Sequence, residues 1–289
     1  MALGVFDSGV GGLSIHRALA ETFPAADLIY LADQAHAPYG SRSGEDIVAL
    51  TRQGCEHLFA RGANLVILAC NTASAIALRT LQQSWLPEVR ERLGRPVNIL
   101  GIIVPTIEEA TGKLWRDHAE PVSPRPKNVH AIAVFATRAT VASRVYEIEV
   151  DKHRQDIAAF SEACTHLARL IEDDTPREVL KSVIEDHVAN ATRRIGRAPD
   201  EAILGCTHYE IVADLFAEAL PPGTPLIHQP TAVSQALKRY TDRHLEYDIG
   251  HSAKRDFFTT GSGGLTGDLV ETFWGAPLTL QPLQLTPSI

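Results

Sequence analysis

Two stretches of the chain carry residue types suited to proton transfer. Leu68-Ala69-Cys70-Asn71-Thr72 and Leu204-Gly205-Cys206-Thr207-His208 each close an apolar run with a cysteine, followed at once by polar side chains. A lone buried cysteine commonly serves as a small hydrophobe, and by residue type alone that reading stands level with a functional one. The Asn-Thr and Thr-His pairs weigh against it, because they fit poorly with a strand that continues through a core. Two thiols facing one pocket suit a particular reaction. A substrate carbon between them loses a proton to one thiolate and regains one from the other thiol on its opposite face, which inverts a stereocentre. One sulfur must be ionised and the other protonated in each direction. A free thiol titrates near about 8.5, and helix N-termini or nearby cations lower that value; both cysteines stand at predicted helix starts. His208 could tune a thiol or accept a hydrogen bond, and Asp7 could orient a thiol or a substrate amine. Ser8, Ser41, Asn71, Thr72, Thr137, Thr140 and Thr207 are the small donors that holding an amino-acid carboxylate requires. A Cys–His hydrolase competes, but no nucleophile-elbow pattern is present. A metal site built on Cys206 and His208 lacks a third ligand at the usual spacing. Among the other histidines, His16, His57, His118, His166, His187, His244 and His251 read as surface residues on helices or loops, and His36 falls beside the Pro38-Tyr39-Gly40 loop.

Positioning these residues falls to strands that end where they begin. Leu3–Phe6 reads as a buried strand, followed by Asp7-Ser8-Gly9-Val10-Gly11-Gly12 and a helix with Ile15, Ala18, Leu19 and Phe23 on one face. Strand, glycine loop and helix is how α/β proteins hold an anion. This loop matches neither the full dinucleotide fingerprint nor a P-loop, and a tight turn without ligand is an equal reading. Leu28–Ala32 predicts a strand ending in Asp33. Ser43 with Asp46 resembles a capping box for a helix that turns Ile47, Thr51, Cys55, Leu58 and Phe59 inward and stops at Gly62. Asn64–Ala69 predicts a strand into Cys70, then a helix toward Trp85. Val97–Ile103 predicts another strand, then a helix to about His118, and residues 120–127 with Pro121, Pro124 and Pro126 read as an exposed connection.

The pattern then restarts. His130–Phe135 predicts a strand ending in Thr137-Arg138-Ala139-Thr140. A helix opened by Thr175-Pro176 turns Val179, Leu180, Val183, Ile184, Val188 and Ile195 inward and stops at Gly196. Ala202–Gly205 leads into Cys206. Leu226–His228, a helix near Thr231–Leu245, strand Phe257–Thr260, a turn at Gly261–Gly264 and a helix through Phe273 follow, with a loose tail after Pro277. Strands alternating with helices predict parallel sheets covered by helices, whose ligands sit outside the carboxyl ends of the strands. Asp7, Asp33, Cys70, Thr137 and Cys206 all fall at such ends. The expectation is an α/β protein of two similar units that share a cleft.

Composition narrows the class. The 289 residues are 45% hydrophobic and 21% charged, so a chain of this length can bury a substantial core in about two domains. A formal net charge of −8 without a run of Lys and Arg argues against nucleic acid as the main partner. No apolar stretch approaches the roughly 18–20 residues of a membrane span. The strand-like N-terminus has no basic lead or small-residue cleavage site, so no signal peptide is expected and a reducing cytoplasm is implied. Cys55, Cys70, Cys164 and Cys206 contain no C-x-x-C pair, so neither disulfides nor a cysteine zinc cage are expected.

Four ordered blocks resemble the signature of glutamate racemases, within the aspartate/glutamate racemase superfamily: Phe6-Asp7-Ser8-Gly9-Val10-Gly11-Gly12-Leu13-Ser14, Pro38-Tyr39-Gly40-Ser41, Ala69-Cys70-Asn71-Thr72-Ala73-Ser74 and Leu204-Gly205-Cys206-Thr207-His208-Tyr209. The resemblance runs through nearly the whole chain, to Phe257-Phe258-Thr259-Thr260-Gly261. It implies two pseudo-symmetric α/β domains with mainly parallel sheets flanked by helices and the active site in the cleft between them. One domain would comprise residues 1–97 plus 209–289 and the other residues 98–208. It implies cofactor-independent racemisation of L-glutamate to D-glutamate for peptidoglycan synthesis, with no metal. By matching position, Cys70 and Cys206 are the acid/base thiols, assisted by Asp7 and His208. Ser8, Pro38, Tyr39, Gly40, Ser41, Asn71, Thr72, Thr140 and Thr207 line the substrate. The family admits a homodimer, for which the sequence shows no clear apolar surface stripe. Departures occur in the second domain. Ala136-Thr137 stands where the family has Gly-Thr, and Ala163-Cys164-Thr165-His166-Leu167-Ala168-Arg169 replaces a proline-rich block, with Glu172 at the place of an acidic residue beyond it. The departures leave open a related acidic substrate such as aspartate, or a non-catalytic amino-acid-binding regulator. Retention of both thiols, Asp7 and His208 argues against the regulator.

Overall fold

The structure, a computed structural model, describes residues 1–112, 114, 129–261 and 267–284. In chain order it runs β1 (Ala2–Asp7), α1 (Leu13–Thr22), β2 (Leu28–Ala32), α2 (Gly44–Ala60), β3 (Ala63–Leu68), α3 (Asn71–Ile76), α4 (Leu78–Thr80), α5 (Leu86–Leu93) and β4 (Asn98–Gly101). It continues α6 (Ile103–Thr111), β5 (His130–Ala136), α7 (Arg138–Ser143), α8 (Val145–His153), β6 (Ile157–Ala163), α9 (Leu167–Glu172), α10 (Arg177–Ile195), β7 (Glu201–Gly205), α11 (Ala213–Ala219) and β8 (Leu226–Ile227). It closes with α12 (Gln229–Thr241), β9 (Arg255–Thr259), α13 (Asp268–Trp274) and β10 (Gln281–Pro282). The expected connection at 120–127, the end of the helix expected to reach His118, and most of the turn after Gly261 lie outside the described residues.

Two compact units result, Met1–Ile102 with Val233–Ile289, and Ile103–Ala232. The boundaries differ from those expected at 97/98 and 208/209, for reasons of strand pairing. Residues 98–101 form β4, which pairs with β3 in the first sheet. Residues 226–227 form β8, which extends β7 in the second sheet.

The first unit holds a parallel sheet ordered β10-β9-β2-β1-β3-β4, and the second a parallel sheet ordered β6-β5-β7-β8. Helices flank these strands, so the chain is an α/β protein. Every residue of β1, β2 and β3 is buried, as expected of continuous apolar runs covered on both faces. The stretch β6-β5-β7 repeats the order β2-β1-β3, a central strand with its chain successors on either side.

Local chemistry sets several boundaries. Ser43 caps α2 by accepting the Asp46 N–H at 3.1 Å, and its hydroxyl donates to the Asp46 carboxylate at 2.7 Å. The Ser43–Asp46 pair thus forms the expected N-cap, with the second bond made to the Ser43 hydroxyl rather than its N–H. Gly62 takes φ of 95° just past the helix end. The helix expected to run from Asn71 to Trp85 is instead broken into α3, α4 and a π turn over Leu81–Trp85 before α5. Several other expectations change. Val179 of α10 is exposed, and Leu180, Ile184, Val188 and Ala191 face inward. The tail after Pro277 is not wholly loose, since Gln281–Pro282 pairs with β9 and Leu280 is buried. His16, expected at the surface, is fully buried against the rings of Tyr30, Phe257 and Trp274. The partners that cover it are β9 and α13, far along the chain and invisible to a local helix pattern. His187 is also largely enclosed, with its Nδ1 3.1 Å from Glu162.

Candidate active site

Strand register places the chemistry in the first unit. Phe6 pairs with Leu31 and Leu68, and Asp7 with Ala32. Asp7, Asp33 and Cys70 therefore come at or just past the carboxyl ends of three adjacent strands. Asp7 is buried, and its Oδ2 accepts the Gly12 N–H at 2.8 Å. That bond folds the Asp7–Gly12 loop back on the strand end. A Cβ on Gly12 would lie 2.7 Å from the Asp7 Cβ and 2.9 Å from the Ala69 Cβ, so close approach requires glycine there. The Tyr30 hydroxyl donates to Gly9 O at 2.9 Å and braces the same loop.

Cys70 occupies the N-cap of α3. Its sulfur accepts the Ala73 N–H at 3.5 Å and lies 3.4 Å from the Ser8 hydroxyl. Both contacts suit a sulfur that carries negative charge, since a helix N-terminus favours a thiolate. Asn71 and Thr72 follow in the first turn, both buried. Burial, then the negative charge available at Asp7 and Cys70, holds the Tyr30 hydroxyl well above its usual titration range. Burial, then Asp33, then Cys70 and Asp7, does the same for Tyr39.

The Pro38–Ser41 segment begins with a cis Ala37–Pro38 bond and forms a short 3-10 turn that packs on α3. Tyr39 is buried and donates to Asp33 Oδ2 at 2.6 Å. Asp33 Oδ1 takes the Thr260 hydroxyl at 2.7 Å and the His36 Nδ1 at 2.8 Å. The Ser41 hydroxyl turns back to Pro38 O at 3.2 Å, while Pro38 and Ser41 themselves are exposed and Gly40 is half-buried.

The second unit repeats the placement with different side chains. Ala136 pairs with Ala163 and with Gly205, so Thr137, Cys164 and Cys206 stand at the ends of three adjacent strands, as Asp7, Asp33 and Cys70 do in the first unit. Thr137 caps α7, accepting the Thr140 N–H at 3.3 Å with the two hydroxyls 3.0 Å apart. Cys206 was expected at an α-helix start; a 3-10 helix over Thr207–Val212 follows it instead, and its side chain caps nothing. Its sulfur has a side-chain partner, His208 Nδ1 at 4.0 Å, the long limit of a sulfur contact. His208 Nε2 lies 2.7 Å from Glu172 Oε1 at the end of α9. Burial alone would favour a neutral ring, but bonding to Cys206 and Glu172 outweighs it and pushes the His208 pKa up to about 10. Thr207, His208 and Thr140 are all buried. Burial, then the charge available at Glu162 and Cys206, pushes the Cys164 thiol well above its usual range, which keeps it a neutral neighbour.

Each unit thus gathers one cysteine and its polar companions: Asp7, Ser8, Cys70, Asn71 and Thr72 in the first, and Thr140, Cys206, Thr207 and His208 in the second. Two carboxylates join them that spacing did not nominate as site residues. Asp33 had only its strand-end position as a signal. Glu172 was marked by the resemblance as the acidic residue beyond the Ala163–Arg169 block, but nothing in its local spacing tied it to His208, its partner across distant parts of the chain. Among the described residues no three His, Cys, Asp or Glu side chains converge as a metal cage.

Residues 13–237 match the family described as Asp/Glu/Hydantoin racemase. A glutamate racemase of Phenylobacterium zucineum is 62% identical over 282 residues, which is 98% of this chain and 100% of that protein. A second, from Caulobacter sp. strain K31, is 62% identical over 278 residues, 96% of this chain and 98% of that protein. Among solved structures, glutamate racemase isoform RacE1 from Bacillus anthracis matches with a TM-score of 0.80 over 99% of this chain and 98% of that chain; at 24% identity this likeness is one of fold.

Proposed function

The chain belongs to the Asp/Glu/Hydantoin racemase family, and from that premise we propose that it interconverts L- and D-glutamate with Cys70 and Cys206 as the paired acid and base. Glutamate is the substrate named for the relatives at 62% identity. The α-hydrogen of an amino acid is a weak acid, so removing it needs a well-placed base and a carboxylate that can accept the charge left behind. Donors held in place before reaction do the second task without reorganisation. Ser8, Asn71, Thr72, Thr140, Thr207 and the Pro38–Ser41 turn are assigned that role. One sulfur gains a proton as the Cα–H bond breaks. The other loses one as a new Cα–H bond forms on the opposite face. Atoms and charge balance without any electron carrier. Asp7 and His208 manage protons of the thiols or of the substrate ammonium.

The observation that supports this reading is the repetition of the thiol. Cys70 and Cys206 follow equivalent strands of two like-ordered sheets, and each sulfur has a polar partner within reach. All four cysteines are free, so neither Cys70 nor Cys206 is held in a disulfide. The D-glutamate product supplies peptidoglycan synthesis. The test is incubation of purified protein with L-glutamate in D2O without pyridoxal phosphate, following optical rotation and α-deuterium by NMR. Racemisation with deuterium uptake is expected, and either Cys70→Ser or Cys206→Ser should lower it by about a hundredfold or more. Undiminished turnover in either variant would overturn the two-thiol mechanism. Faster exchange of aspartate would reassign the substrate, and binding without exchange would make the protein a regulator.

A further inference from the structure

We propose that Thr260 is a positioning residue for substrate binding, acting through Asp33 on the Pro38–Ser41 turn. The inference rests on the racemase reading, which gives that turn a place against the substrate.

Asp33 is fully buried. A buried carboxylate demands donors, and losing one leaves an oxygen without compensation. Its Oδ1 is met by Thr260 Oγ1 at 2.7 Å and His36 Nδ1 at 2.8 Å, and its Oδ2 by the Tyr39 hydroxyl at 2.6 Å. Tyr39 lies inside the turn. The Thr260 hydroxyl has a second bond, accepting the Ala35 N–H at 3.0 Å. One hydroxyl therefore fixes both the carboxylate and the backbone that leads into the turn.

The position of Thr260 follows from the sheet. β9 pairs with β2 in parallel, Thr259 lies beside Ala32, and the Thr260 N–H donates to Ala32 O at 3.0 Å. Asp33 and Thr260 are thus the first residues beyond two neighbouring strand ends. His36 is a weaker tether, since its side chain is 40% exposed and water can replace it. The turn in turn packs on α3, the helix that Cys70 caps. The linkage runs from Thr260 to Asp33 to Tyr39, and its loss should be felt in how well substrate is held more than in proton transfer at sulfur.

The experiment compares Thr260→Val, which keeps shape and removes the hydroxyl, with Thr260→Ser, which keeps the hydroxyl. KM and kcat for L-glutamate are measured together with hydrogen–deuterium exchange of the 34–41 backbone. The valine variant should raise KM roughly tenfold with kcat within about threefold of wild type, the scale of one lost bond to a charged group. It should also speed exchange at 34–41, and the serine variant should restore both. Tyr39→Phe breaks the other end of the same linkage and should give a similar KM. Combined with Thr260→Val it should add little, because both act on one carboxylate. Unchanged KM and exchange in Thr260→Val, equal impairment in Thr260→Ser, or full additivity with Tyr39→Phe would each overturn the proposal. Should wild-type protein fail to racemise glutamate, the racemase reading falls; the exchange comparison still decides whether Thr260 orders the turn.

Discussion

His208 stands between a sulfur and a carboxylate, and its charge depends on both. Its pKa of about 10 lies above the ordinary value of 6.5 because bonding to Cys206 and Glu172 outweighs burial. A raised histidine contributes stability fully below the unfolded value and loses that contribution as pH rises from there through the folded value. The imidazolium is therefore the prevailing form at neutral pH, and the proposed mechanism uses it to support charge on the Cys206 sulfur or to return a proton to it. Glu172→Gln keeps the contact at Nε2 but removes its charge, so the imidazolium should give up its proton at lower pH. The alkaline limb of the kcat/KM profile should move acidward by about one pH unit or more. A profile that superposes on wild type would show that the carboxylate does not govern His208. Cys70 is served differently, by the Ala73 N–H and the Ser8 hydroxyl. The two thiols are therefore chemically unequal even though their strands are equivalent.

At the scale of elements, the βα loops decide where these side chains sit. The Asp7–Gly12 loop closes so tightly that a single methyl at Gly12 would press on both Asp7 and Ala69. Gly12→Ala should cost about 1–3 kcal/mol in urea denaturation, the range for forced overpacking, and should lower kcat by moving Asp7. Wild-type stability together with wild-type rate would show that the loop yields freely. This loop was legible from sequence, because a buried strand followed by glycines and a periodic helix leaves few alternatives. So were the Ser43 N-cap of α2 and the strands that end before Cys70 and Cys206. What escaped was set at a distance. β6 was not foreseen, because Ser161 and Glu162 interrupt its apolar pattern, yet both are buried. Glu162 is tolerated there because His187 and Arg194 of α10 each come within 3.1 Å of it. The partners of Asp33 and Glu172 were hidden for the same reason, since Thr260 and His208 come from distant parts of the chain.

Stability of the molecule at acid pH should turn on His16. It lies on α1 with its ring enclosed by Tyr30, Phe257 and Trp274, and neither ring nitrogen has a hydrogen-bond partner among the described residues. Burial first, then the nearby Arg255 cation, lowers its pKa to about 3. The folded first unit therefore holds His16 neutral while the unfolded chain binds a proton near the ordinary 6.5. A lowered histidine contributes its full stability above that value and loses it as pH falls toward the folded one. The loss should be about 1.4 kcal/mol per pH unit below about 6.5. His16→Phe keeps an aromatic ring in the same enclosure and removes the titration, and His16→Leu removes it with a smaller side chain. Urea midpoints of wild type and both variants at pH 7, 6 and 5 isolate this group, because the remaining histidines are common to all three. Wild type should lose about 2 kcal/mol more than either variant between pH 7 and pH 5. Parallel loss in all three would mean that His16 finds a proton while still folded, through an opening of the β9 and α13 cover. In that case the ring cluster is looser than its packing indicates, and acid sensitivity would have to come from the carboxylates.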